Sequence, residues 1–166
     1  MELAQGLVLF VATLTMGLAA GFLYAYAHDI MPGLGRSDDR TFVAGFQAVD
    51  RAVVNPWFLA GFLGAPLLTG VAILLEATDD GDREVMWWSF AAFVLYFIVI
   101  AITRCVHLPL NAELQAAGDP DQIADLAAVR QRFEARWVRW HVVRTVANVA
   151  AFGCLLWALV LFGRAT

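Results

Sequence analysis

The chain has 166 residues, 61% of them hydrophobic and 16% charged, with a net charge of −4. A soluble domain carries roughly 25% charged residues; here the charges are also confined to connectors, which excludes an ordinary water-exposed surface. The two cysteines, Cys105 and Cys154, stand singly in apolar runs, which excludes a disulfide framework or a Cys-rich zinc site.

A membrane helix needs about 20 mostly apolar residues, and the chain supplies four such runs. The first, residues 3–27, carries no charge after Glu2. It is too long for a signal peptide and lacks a positive start, so it reads as a retained span. Met31-Pro32-Gly33 marks its end. Residues 37–54 open on Ser-Asp-Asp, a helix start, and place Phe42, Phe46, Val49 and Val53 at helical spacing. Asn55-Pro56 then begins the second span, residues 56–75, and Thr78-Asp79-Asp80-Gly81 turns the chain into the third, residues 86–107. After Gly118-Asp119-Pro120, the stretch 121–140 carries Ile123, Leu126, Val129, Phe133 and Trp137 on one stripe. Arg130, Arg132, Arg136 and Arg139 lie opposite. The fourth span is residues 141–162.

The pattern predicts an all-α integral membrane four-helix bundle, a single domain over 1–166. Two amphipathic helices at the membrane surface occupy the long connectors. Those connectors, with the span ends they join, hold nine arginines, and the opposite side holds only Arg83 and Arg164. The positive-inside rule therefore predicts a multi-pass plasma (inner) membrane protein with both connectors cytoplasmic and both termini outside. Trp87 and Trp88 would mark one interface, and Trp57, Trp137 and Trp140 the other. The Arg-rich connector suits anionic lipid headgroups rather than nucleic acid. Gly17-xxx-Gly21 and Ala60-xxx-Gly64 suit close helix packing, within the chain or in a homo-oligomer.

This topology gathers polar residues at one end. His28 and Asp29 end span one, and Gln47, Asp50 and Asn55 precede span two. Thr103, Arg104, His107 and Asn111 end span three, and span four begins with His141, Arg144, Thr145 and Asn148. The last four are spaced i, i+3, i+4, i+7 and share a helix face. Polar groups that deep normally face the bundle interior, so a polar pocket is expected there. His107 or His141 would serve as a base and Arg144 as an anion stabiliser, with Asn111 beside them. His28, Asp50, His107 and His141 form a candidate ligand set for copper or iron, although no pair has a tight ligand spacing.

Several segments carry a family resemblance. Met31-Pro32-Gly33-Leu34, Phe46-Gln47-Ala48-Val49-Asp50-Arg51, Leu108-Pro109-Leu110-Asn111 and Trp137-Val138-Arg139-Trp140-His141-Val142-Val143-Arg144-Thr145 resemble signatures of the anthrone oxygenase-like membrane proteins. In that family's pattern Asn111 and Arg144 stand as here. The positions of Asp50, His107 and His141 are commonly Asn, and that of His28 is apolar. The resemblance implies a membrane oxidoreductase or oxygenase acting on a lipophilic anthrone-, phenol- or quinone-like small molecule. The alternative is a non-catalytic lipid- or quinone-binding accessory protein. Phosphate-loop, GxSxG, HExxH and dinucleotide-binding motifs are all missing.

Overall fold

The apolar runs become helices longer than a bilayer requires, because two prolines expected near their ends are absorbed instead. In the computed structural model, which describes residues 2–77 and 82–165, helix α1 spans Glu2–Gly35 and passes through Pro32. Proline inside a helix lacks a donor, and its ring presses on the carbonyl four residues back. The chain accommodates it with one wide, π-type turn, Tyr26–Ile30, in which the Met31 N–H donates to the Tyr26 carbonyl five residues back. The third span repeats the device. Leu108 donates to the Thr103 carbonyl across the wide turn Thr103–His107, immediately before Pro109. Met31-Pro32-Gly33 therefore does not close span one, and span three continues to Ala116. Each wide turn holds one extra residue, which rotates the remainder of its helix by about 100°.

Helix α2, Asp39–Val53, starts where the Asp38 carboxylate accepts from the Thr41 N–H (2.9 Å) and hydroxyl (2.7 Å). Its Phe42, Val43, Phe46 and Gln47 are buried, whereas Val49 is exposed. The stripe is thus shorter than expected, and it packs on protein, against Phe133, Trp137, Leu110 and Leu114. Helix α3, Pro56–Glu76, is capped by Asn55, which accepts from the Phe58 N–H. Helix α4 spans Arg83–Ala116, capped by Asp82. The turn expected at Thr78-Asp79-Asp80-Gly81 lies outside the described residues.

Helix α5 corrects a second expectation. The Arg-rich connector is not a separate surface helix: it is continuous with span four in one 40-residue helix, Leu126–Ala165, about 60 Å long at 1.5 Å per residue. Nor is its basic face uniform. Arg130 clamps the end of α1, donating to the carbonyls of Gly35 (2.7 Å) and Ser37 (2.9 Å), pairing with Asp39 and Glu134, and lying over the Phe42 ring. It thereby satisfies carbonyls that a helix end leaves without donors.

Two cores result. Leu9, Met16, Ala65, Ala92, Val99, Leu155 and their neighbours fill the bundle between the four spans, with α1 and α4 each packed against both α3 and α5. A second core of Tyr26, Phe42, Phe46, Leu114, Phe133 and Trp137 fills the connector end. Gly17 admits the Phe152 ring, which lies 2.8 Å from where its Cβ would stand, but among the described residues no other element comes within 4 Å of where a Cβ would stand on Gly21 or Gly64. The four spans make this an all-helical, multi-pass membrane protein.

Candidate functional site

Between the two cores lies a layer of buried polar side chains, and α5 supplies its spine. His141, Arg144, Thr145 and Asn148 are all buried, as their spacing predicts. The His141 Nε2 lies 2.9 Å from the Leu23 carbonyl, and its Nδ1 receives the Arg144 Nε (3.1 Å) and Nη2 (3.0 Å). A guanidinium can only donate, so His141 is neutral with its proton on Nε2, donated to Leu23. Both ring nitrogens are engaged. The remaining arm of Arg144 donates to the Thr103 hydroxyl (3.0 Å), which donates onward to the Val99 carbonyl.

Arg144 is 8% exposed, and no carboxylate pairs with it among the described residues. Its other neighbours are the Trp137 ring, 5.5 Å from the guanidinium carbon, and the phenols of Tyr26 and Tyr96. An uncompensated buried cation costs several kcal/mol, on the order of the desolvation of one ion. Interior charges in membrane proteins mark functional sites for this reason.

His107 lies beside His141 and Trp137. Its ring meets those of Trp137 (5.0 Å) and His141 (6.0 Å) edge to face. It is 1% exposed, and neither ring nitrogen makes a hydrogen bond among the described residues; the main chains of Ile102 and Trp137 approach it without full bonding geometry. Asn148, fully buried one turn beyond Arg144, has no hydrogen-bond partner at either amide atom among the described residues.

The remaining candidate residues take different places. Asn111 does not face the imidazoles: it accepts from the Trp137 indole (2.9 Å) and donates to Asp50 (2.6 Å), which also receives Gln115. Trp137 in turn stacks on His141, rings 4.6 Å apart and 13° from parallel. It is 2% exposed and is not the interfacial anchor expected of it; Trp57 and Trp140 are exposed. His28 lies outside the cluster altogether. It follows inward-facing Tyr26 by two residues, which turns it to the bundle exterior, where it packs on Tyr24. The expected metal set of His28, Asp50, His107 and His141 is therefore not brought together, and no three His, Cys, Asp or Glu converge among the described residues.

Tyr96 enters the site without having been singled out by the sequence. Pro66 lacks an N–H, which leaves the Phe62 carbonyl without its helical donor, and the Tyr96 hydroxyl donates to that carbonyl at 2.7 Å. Two surface cavities flank the cluster. One, of about 430 Å³, lies among α1, α2 and α3 against Phe22, Phe58 and Phe62. The other, of about 480 Å³, lies between α1 and α5 against His28, Val142 and Thr145.

Fold and site together define a four-span helical membrane protein with an enclosed, cationic polar layer. The anthrone oxygenase family model matches residues 56–154, well over half the chain, and the chain belongs to that family. The match takes in His107, Asn111, His141, Arg144 and Asn148; α1 and α2, with His28 and Asp50, lie before it. No curated protein and no solved structure matches the chain.

Proposed function

We propose that the protein is a membrane-embedded oxygenase for a flat, lipophilic aromatic substrate of the anthrone, phenol or quinol type. The observation that carries this reading is Arg144, a buried guanidinium without an acidic partner among the described residues, in the same polar layer as His107, an imidazole whose ring nitrogens make no hydrogen bond to any described residue. That combination suits a substrate that becomes anionic on losing a proton. His107 takes the proton, and Arg144 holds the enolate or phenolate oxygen in an environment where charge interactions are strong. His141 is unsuited to be the base, because accepting a proton would break its bonds to Arg144 and set two cations side by side. Its role is to orient the guanidinium.

The chemistry balances with dioxygen as the only co-reactant. Oxidation of an anthrone methylene to a carbonyl inserts one oxygen atom and removes both hydrogens. Dioxygen supplies that atom and accepts four electrons, and its second atom leaves as water with the two hydrogens. The aromatic cavity at Phe22, Phe58 and Phe62 offers access from the bilayer, since Phe22 meets the Tyr26 ring and the Phe62 carbonyl holds Tyr96.

Oxygen uptake with an anthrone, by the purified protein in micelles, tests this. The expected result is protein-dependent uptake of one dioxygen per quinone formed, lost in His107→Ala. Tight binding of the anthrone without uptake would instead favour a non-catalytic binding protein.

A further inference from the structure

Pro32, Pro66 and Pro109 stand inside the long helices, and each takes a donor away from a carbonyl earlier in its helix. At Pro66 the loss is made good within the protein, where the Tyr96 hydroxyl donates to the Phe62 carbonyl (2.7 Å). At Pro109 it falls on Arg104, whose usual donor, Leu108, turns to Thr103; Arg104 is exposed and borders neither of the two cavities. At Pro32 it falls on Ala27. The Met31 N–H that an α-helix would give it goes to Tyr26, and the next position is the proline itself. The Ala27 carbonyl thus has neither an α-type nor a π-type donor. No described side chain replaces them: His141 is spent on the Leu23 carbonyl, and the Thr145 hydroxyl donates to the His141 carbonyl (2.8 Å).

Ala27 borders the cavity between α1 and α5, and the walls of that cavity say what fits it. The cavity at Phe22, Phe58 and Phe62 is aromatic. This one is lined on α5 by Val142, Val146, Val149 and Ala150, an aliphatic track about 12 Å long at 1.5 Å per residue. Ala27 and His28 stand at its connector end, and Ala150 lies toward the middle of the bundle. An amphiphile in the connector-side leaflet would meet the carbonyl with its polar end and the valines with its chain. The partial negative charge of an unpaired carbonyl calls for the positive hydrogen of a donor, and leaving it bare against hydrocarbon is costly. An acyl chain offers no such hydrogen, and a phosphatidylcholine headgroup offers acceptors only.

We propose that this cavity binds an aliphatic lipid with a free hydroxyl, which donates to the Ala27 carbonyl while the chain lies along Val142, Val146 and Val149. The ligand's hydroxyl does at Ala27 what the Tyr96 hydroxyl does at Phe62. The site is separate from the chemistry assigned to Arg144 and does not depend on it.

The test is photolabelling of the full-length protein in phosphatidylcholine vesicles. The probes are dodecanol and its methyl ether, each carrying a diazirine on the chain, at equal mole fraction, with labelling of residues 142–150 read by peptide mapping. The alcohol should label wild type about tenfold more than the ether, the effect of one ordinary hydrogen bond. Pro32→Ala supplies an N–H that closes the carbonyl, from position 32 across the wide turn or from Met31 if the turn narrows. Alcohol labelling should then fall to the level of the ether. Val146→Phe, which fills the cavity, should lower labelling by both probes. Equal labelling of wild type by alcohol and ether overturns the proposal and leaves that carbonyl to water. An alcohol preference that survives Pro32→Ala, or labelling unchanged in Val146→Phe, overturns it as well. If Pro32→Ala fails to insert, the wild-type comparison of the two probes decides.

Discussion

The two halves of the bundle differ in how many polar side chains tie helices together. Inside the terminal half Thr13 and Thr69 bond to carbonyls of their own helices, Gln5 alone among the buried side chains described there reaches across, to the Leu75 carbonyl, and Ser89 is buried without a partner among the described residues. The helices there are held by packing of Leu9, Met16, Val99 and Leu155. In the connector half the bonds cross between helices. His141 reaches Leu23, Arg144 reaches Thr103, Trp137 reaches Asn111, and Gln47 donates to the Leu114 and Gly118 carbonyls. The connector half concentrates the cross-helix bonds and holds four of the five buried side-chain atoms without a partner among the described residues, on His107 and Asn148. Under the proposed function, the terminal half is a scaffold and the connector half is the site.

Substitutions should divide along that line. The largest effect is expected at Arg144→Met, which should lower oxygenase turnover by about 10²–10³-fold, as loss of a charge-stabilising donor does. Its melting temperature should hold, because an apolar side chain replaces an unpaired buried charge. Leu155→Ala in the scaffold should do the reverse. It opens a cavity and should lower stability by about 2–4 kcal/mol in a denaturation series, while turnover per folded molecule is unchanged. If instead Leu155→Ala abolished turnover and Arg144→Met unfolded the protein, the division between halves would collapse.

A smaller effect tests how the site is held. Asn111→Leu removes the bonds from Trp137 and to Asp50, freeing the indole that stacks on His141. Turnover should fall about tenfold, the scale of one or two hydrogen bonds, with the fall in kcat rather than KM. The smallest effect lies outside both halves. Thr41, through its hydroxyl and then its N–H, holds the Asp38 carboxyl below the usual carboxylate range. Its folded value lies below its unfolded one, so the cap stabilises above the ordinary carboxylate range and is lost as pH falls through the lowered value. Asp38→Ala should flatten that slight acid dependence of melting and leave turnover untouched.

Much of this arrangement is legible in the sequence. The spans announce themselves through charge-free runs, and the stripe His141, Arg144, Thr145, Asn148 needs only helical periodicity on one element. Register between elements is not legible in the same way. Pro32 looks like a helix end, and span three reads as stopping short of Pro109, because absorbing each proline depends on a one-residue widening of the backbone. His28 shares a depth with the other histidines, but depth is not direction, and it faces outward. Tyr96 lies hidden in an apolar run. Its partner, the Phe62 carbonyl, is freed by Pro66 on another helix, a link that requires knowing which turns meet. Trp137 has the sequence position of an interfacial anchor, near a span end where tryptophans usually serve as one; only the continuity of α5 turns it inward.

Whether Arg144 holds an anion is the central question. The absorbance of a nitrophenol bound to the protein, measured at a pH where the free dye is mostly protonated, reads this directly. Wild type should show the phenolate band and Arg144→Met the neutral phenol. A neutral-phenol spectrum from wild type, with the dye demonstrably bound, would contradict an anion-holding role for Arg144.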